Sequence, residues 1–537
     1  MPAPIRFPTA AELPAELRVD ASTYENRWLC DGQVRTWAGE SMAIEAAVCV
    51  RDGDRVTRPV LGRVPALGEA EAMAALAAAK RAYDLGRGAW PRATMAERLK
   101  AVETFLAKLK PLRAEVVKLL MWEIGKPQGD AEKEFDRTVE YVRDTVHAVK
   151  DLDRQSSRFV IEQGVFGQIR RSPLGVVLCM GPYNYPLNET WTTLIPALIM
   201  GNTIVAKLPR FGQLLHLPIY SAFAESFPPG VVNFVSGDGR YISGPLMASG
   251  DVDVLAFIGS QRVGDLLKKS HPAPHRLRCV LGLGAKNTGI VLADADLDVA
   301  VREAVTGALS FSGQRCTALK LLLVERAVAD EFTRRFADAV SALKVGLPWE
   351  PGVKLTALPE DGKCDYLAGL VAEATGKGAR VVNANGGEWT GTYFHPAVLY
   401  PCDMSMRACL EEQFGPVVPI VPFDDEREAI DAVVASPFGQ QAAIFGRDGE
   451  RVGRLVDALV PQVSRINLNS QCQRGPDTFP FTGRKASAEG TLSVTDALRV
   501  FSIRTMVAAR DDVANRALVA SIVRGRTSSF VSTDFLF

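Results

Sequence analysis

From Pro173 to Ser260 the chain alternates short β-favouring runs with helical stretches: GVVLCMGP, then Trp191 to Met200, NTIVAKLP, Leu214 to Ser226, GVVNFVSG and VDVLAFIGS. That alternation predicts βαβ units and a parallel α/β sheet, with a ligand crevice beyond the carboxyl ends of its strands. A second α/β series begins near Cys279 with GIVLADADLDVAV, LKLLLVERAV and RVVNANGG, and ends near Gly490. A chain of 537 residues exceeds what one hydrophobic core usually fills, so two large domains are expected, with room for a small third.

Helical apolar spacing marks Glu69 to Tyr83, Met95 to Leu112 and Ala114 to Val149, so the first 150 residues are predicted to be helix-rich. Arg158 to Arg171 has the pattern of an exposed hairpin about Gly164, and Leu498 to Ala508 that of a late strand. The resulting division is 1–157 with 173–279, then 280–490, then an arm of 158–172 with 491–537. Lys+Arg 62 cancel Asp+Glu 62, which leaves no global field for nucleic acid or an anionic membrane, so any anion must be recognised locally. The nine cysteines contain no C-x-x-C and the five histidines no H-E-x-x-H, so neither a zinc site nor a disulfide framework is expected, and a reducing cytoplasmic setting follows. The first residues lack the apolar core of a signal peptide, and the most apolar stretch, Leu194 to Ala206, is broken by Gly201 and Asn202.

The sharpest local feature is FSGQRCTA, Phe311 to Ala318, where Cys316 follows a Gly-containing turn and adjoins Arg315. A neighbouring cation favours the nucleophilic thiolate. A buried, inert cysteine fits the same spacing, and no histidine is evident as partner for a papain-like pair.

FSGQRCTA resembles the nucleophile segment of the aldehyde dehydrogenase superfamily. GPYNYP at 181–186, VAKLP at 205–209, FIGS at 257–260 and EEQFGP at 411–416 match that family's other segments in order and spacing. The resemblance runs from about Thr57 to Ala508. It implies an α/β fold with a Rossmann-like nucleotide-binding domain, an α/β catalytic domain and a β arm for assembly into a homodimer or homotetramer. It also implies Cys316 as the nucleophile and Asn184 as a side-chain donor to the oxyanion. For the cofactor it implies Lys207 at the adenosine ribose, Gly239 on the adenine side, Gly259 and Ser260 at the pyrophosphate, and Glu412 with Phe414 at the nicotinamide ribose. Arg210 stands where members that prefer NAD usually carry a glutamate, so NADP is expected over NAD.

Asn184-Tyr185-Pro-Leu, Gly313-Gln-Arg315-Cys316 and the segment from Cys472 to Phe481 resemble the non-phosphorylating, NADP-dependent glyceraldehyde-3-phosphate dehydrogenases most closely. In that branch the matching positions hold the substrate phosphate, here Arg315, Arg474, Tyr185 and a helical arginine matched to Arg137. The pattern fails at one place. Hydrolytic members have a glutamate where this chain reads Gly282-Leu-Gly-Ala-Lys286, so the general base that cleaves the thioester is missing. Another carboxylate such as Glu412 or Glu189, an acceptor such as coenzyme A, or a catalytically impaired nucleotide-binding homologue would each fit.

Overall fold

The computed structural model describes residues 5 to 536. The first four residues of the N-terminal segment, and Phe537 of the tail, lie outside the described residues. Five parallel strands form the centre of the first sheet: β1 (Val176–Met180), β2 (Thr203–Lys207), β3 (Val232–Val235), β4 (Val254–Ile258) and β5 (Arg278–Gly282). Their order is β3-β2-β1-β4-β5, so the winding reverses between β1 and β4 and opens a crevice there. Every residue of β1 and β3 is buried, because helices cover both faces of the sheet.

The second sheet contains β6 (Asn287–Val291), β7 (Leu319–Glu325), β8 (Ala397–Tyr400), β9 (Val417–Phe423), β10 (Gln441–Phe445) and β11 (Arg465–Leu468), ordered β8-β9-β7-β6-β10-β11 and parallel throughout this stretch. A three-stranded arm is built from Phe159–Glu162, Val165–Pro173 and Ser502–Arg510, with the tight turn at Gln163 and Gly164, both at positive φ.

Several expectations shift. β5 lies in the first sheet, so a boundary at 279/280 cuts through a strand, and Ala488–Glu489 returns to pair with β5. The run Ala114 to Val149 is two helices, Arg113–Ile124 and Gln128–Ser156, because Gly125 at φ +69 ends the first and Pro127 precedes the second. Short strands occupy much of 27–65 ahead of the helices. Val494–Val500 is helical, so the late strand starts at Ser502. The tail forms a helix over Val513–Gly525 and folds back on the arm, where Ser532 bonds Gln168 in both directions at 2.5 and 3.1 Å. Among the described residues no helix is long and apolar enough to cross a membrane.

Candidate active site

A cavity of about 1210 Å³ lies between the carboxyl ends of the first sheet's strands and the amino ends of the second sheet's. Cys316 precedes β7, Phe414 precedes β9 and Gln440 precedes β10, while Lys207 ends β2 and Gly259 follows β4. The rule that ligands sit at carboxyl ends thus describes one wall only. All thirteen residues singled out in the sequence line this one cavity: Cys316 and Asn184; Lys207, Arg210, Gly239, Gly259, Ser260, Glu412 and Phe414; and Arg137, Tyr185, Arg315 and Arg474.

The turn after β1 carries Asn184. Its side-chain amide, 4% exposed, donates to the Gln314 carbonyl at 2.7 Å, which brings it to the nucleophile segment. The turn hangs on a fully buried ion pair, Lys126 with Glu134. Lys126 donates to the Asn184 carbonyl at 2.8 Å, and Glu134 accepts from the Leu187 and Asn188 amides at 3.1 and 3.2 Å. Cys316 is held by its carbonyl, which accepts from Asn287 at 2.8 Å and Lys320 at 2.9 Å. Lys126, Glu134, Asn287 and Lys320 were not found from the sequence, since only their distant partners mark them.

Arg315 departs from its expected effect on the thiol. Its guanidinium donates to the Gly307 carbonyl at 2.8 Å and the Thr306 carbonyl at 3.3 Å, at the end of the helix Leu297–Leu309. The cations that act on Cys316 are Lys320 and Arg474. Burial pushes the thiol above its ordinary value, the charge of Glu189 adds to this, and the two cations offset it only in part. Carbamidomethylation of Cys316 by iodoacetamide in the free protein is therefore expected to keep rising with pH through pH 9, as the thiolate fraction grows. A plateau reached by pH 7 would contradict this.

On the cofactor side, Ser260 opens the ten-residue helix Gln261–Ser270 without a side-chain cap, so its first backbone N–H groups are open to an anion, whereas at the start of Gly239–Ala248 the Asp238 carboxylate takes the Arg240 N–H. Burial lowers the Lys207 ammonium to about 8, partly opposed by Asp238, and it bonds no described residue. A desolvated ammonium without a hydrogen-bond partner, with an uncapped helix start in the same cavity, fits a dinucleotide. Glu412 accepts from the Ala285 amide at 3.0 Å and pairs with Lys320 at 3.0 Å. Phe414, at φ +46, lies near the ammonium groups of Lys320 and Lys363. Arg210 is exposed and pairs with Asp361 at 2.8 Å.

The opposite end carries the arginines. Arg137 pairs with both oxygens of Asp477 at 2.7 Å. Arg474, 6% exposed, pairs with Glu189, approaches Asp477 at 3.2 Å and donates to the Leu492 carbonyl at 3.2 Å. The Tyr185 hydroxyl makes no hydrogen bond to a described residue. Gly282 ends β5 in the wall of the cavity; a Cβ there would meet Ile258 at 3.4 Å and Leu492 at 3.7 Å, ordinary contacts.

A dinucleotide crevice facing a half-buried thiol with an amide donor beside it defines a nucleotide-dependent oxidoreductase that works through a cysteine. Residues 46–507 match the aldehyde dehydrogenase family, and the chain belongs to it. The chain is 33% identical over 462 residues to the NADP-dependent glyceraldehyde-3-phosphate dehydrogenase of Streptococcus equinus, covering 84% of this chain and 93% of that one. It is 33% identical over 494 residues to the Zea mays protein of the same name, covering 90% and 94%. The crystal structure of the NADP-dependent glyceraldehyde-3-phosphate dehydrogenase from Bacillus halodurans, complexed with NADP, matches with a TM-score of 0.82 at 29% identity, covering 91% of this chain and 100% of that one. The helix Val513–Gly525 and the tail lie beyond the family match.

Proposed function

We propose that this chain oxidises glyceraldehyde 3-phosphate to 3-phosphoglycerate with NADP, through a thiohemiacetal and then a thioester on Cys316. The observation that carries the reading is the convergence, in one cavity, of Cys316, the Asn184 amide, a dinucleotide crevice and three arginines with Tyr185. The names of the relatives support the substrate and cofactor. A substrate phosphate would take Arg474 and Arg137 from their carboxylates and add the free Tyr185 hydroxyl, because guanidinium forks suit phosphate oxygens. Arg315 would join through the part of its fork not used by the Thr306 and Gly307 carbonyls.

Cys316 Sγ attacks the aldehyde carbon, and the oxygen that becomes anionic lies within reach of the Asn184 amide and the Cys316 backbone N–H. The bound cofactor supplies the acceptor for the hydride that leaves this carbon. Glu412 and Phe414 orient its nicotinamide ribose, Lys207 its adenosine ribose, and Ser260 and Gly259 its pyrophosphate. NADPH formation in a mixture of protein, glyceraldehyde 3-phosphate and NADP, with and without coenzyme A, tests the reading. Steady turnover without coenzyme A supports hydrolysis; one equivalent followed by turnover only with coenzyme A would make the protein an acyl transferase.

Arg210 is the residue assigned to the 2′-phosphate. Its exposed pair with Asp361 is worth at most about 1 kcal/mol, so a phosphate can displace it. Arg210→Glu is expected to shift the NADP to NAD ratio of kcat/KM at least ~10-fold toward NAD, since a carboxylate repels the phosphate and accepts from a free hydroxyl. An unchanged ratio would reject the assignment. The exposed apolar side chains of Ile161, Ile503 and Met506 on the arm support assembly with further copies of the chain, and nine free cysteines support a cytoplasmic setting.

A further inference from the structure

Gly282 leaves the cavity without the carboxylate that hydrolytic relatives use on the thioester, and two of the carboxylates that line it are tied to Cys316: Glu412, through Lys320, which also bonds the Cys316 carbonyl, and Glu189, whose charge acts on the thiol. Glu412 is committed elsewhere. One oxygen takes both the Ala285 amide and Lys320, and the other sits 2.9 Å from where a Cβ on Gly284 would be, against the nicotinamide side. Glu189 belongs to the substrate side, in the first turn of the helix Asn188–Ile199 that follows the Asn184 turn.

The surroundings of Glu189 connect it to the vacated position. Arg474 engages Oε2 of Glu189 and, through its other nitrogen, the Leu492 carbonyl; the Leu492 side chain lies 3.7 Å from a Cβ placed on Gly282. Oε1 of Glu189 has no hydrogen-bond donor among the described residues. The carboxylate is close enough to Cys316 for its charge to act on the thiol. An acceptor oxygen without a donor, on a side chain that lines the same cavity as Cys316 and Gly282, is a place for a water.

We propose that Glu189 is the general base of deacylation and takes over the task of the absent glutamate. Its partner makes the base conditional on substrate. Arg474 holds Oε2 in the free protein, and a substrate phosphate that captures the guanidinium releases the carboxylate at the moment an acyl group is present. The water oxygen then bonds to the acyl carbon and gives its proton to Glu189. The C–Sγ bond breaks with its electron pair on Sγ, yielding the carboxylic acid and the Cys316 thiolate. The acid ionises, and Glu189 returns its proton to solvent through the cavity mouth.

This inference rests on the oxidation proposed above, and the experiment separates the two. Wild-type protein, Glu189→Gln and the double variant Glu189→Gln/Gly282→Glu are mixed with glyceraldehyde 3-phosphate and NADP. NADPH is followed from the first turnover, and acid-quenched samples are weighed by intact mass spectrometry. Glu189→Gln is expected to form about one equivalent of NADPH and accumulate the acyl adduct on Cys316, with steady turnover lowered ~100-fold. Restoring a glutamate at 282 in that background is expected to raise turnover at least tenfold and clear the adduct. Unchanged turnover in Glu189→Gln would overturn the inference, as would loss of the first equivalent together with turnover, which would confine Glu189 to holding Arg474. Wild-type protein that makes no NADPH would instead reject the oxidation itself. Should Glu189→Gln not fold, Glu189→Asp keeps the charge pair but withdraws the carboxylate, and the same adduct is expected with a ~10-fold slower steady rate; a wild-type rate there would count against the inference.

Discussion

Replacing Cys316 with serine is expected to abolish hydride transfer, lowering the first-turnover rate at least ~10⁴-fold. A serine hydroxyl needs a strong base beside it, and among the described residues no histidine lines the cavity. The thiol, although pushed up by burial, ionises far more readily than a hydroxyl and has Lys320 and Arg474 to support its anion. The substitution removes little volume, and the carbonyl of residue 316 would keep its bonds from Asn287 and Lys320. NADP affinity, measured by fluorescence titration, should therefore stay within a few-fold of wild type while the rapid-mixing signal at the first turnover disappears. A serine variant that still produces NADPH at the normal rate would remove the nucleophile from the mechanism.

Asn184→Ala carries the second-largest expected effect, through the oxyanion proposed to form beside its amide. The Asn184 amide has two N–H groups, and the structure uses one of them on the Gln314 carbonyl. The other is left to meet an oxyanion. Losing one such donor typically costs about 3–4 kcal/mol of transition-state stabilisation, so acylation should slow ~100- to 1000-fold with little change in cofactor affinity. Asn184→Asp sharpens the test, because it replaces a donor by an acceptor at constant size and should be slower still. Alanine and aspartate variants with wild-type first-turnover rates would mean that backbone N–H groups alone hold the oxyanion. Both substitutions leave the turn itself in place, since it hangs on Lys126 and Glu134 through the Asn184 carbonyl and the Leu187 and Asn188 amides.

The alternation of β-branched runs and helices was legible as βαβ units because strand and helix periods are local properties of ten or fifteen residues. The thirteen residues singled out in the sequence all line the cavity, including residues as far apart as Arg137 and Arg474. Boundaries were less legible. The cut near 279 fell inside β5, because a strand's membership of one sheet or the other depends on its hydrogen-bonding neighbours and not on its own composition. Leu498 to Val500 read as the start of a strand for the same reason; packing of Ala497 and Leu498 into the core drew them into the helix Val494–Val500.

What the sequence by itself determined is the inventory: a parallel α/β architecture, a cysteine with an asparagine, a glycine where a base was expected, and one arginine, Arg210, where a carboxylate was expected. Only the tertiary structure decided how those groups are used. Arg315 and Cys316 are neighbours in the chain and both line the cavity, yet the Arg315 guanidinium bonds a helix end, and the cations that act on the thiol are Lys320 and Arg474. The pairing of Glu189 with Arg474 spans 285 positions, and the fixing of the Asn184 turn by Lys126 spans 58. Sequence periodicity reports which face of an element is apolar, but a charge at close range acts according to distance and burial, and both are set only when distant segments meet.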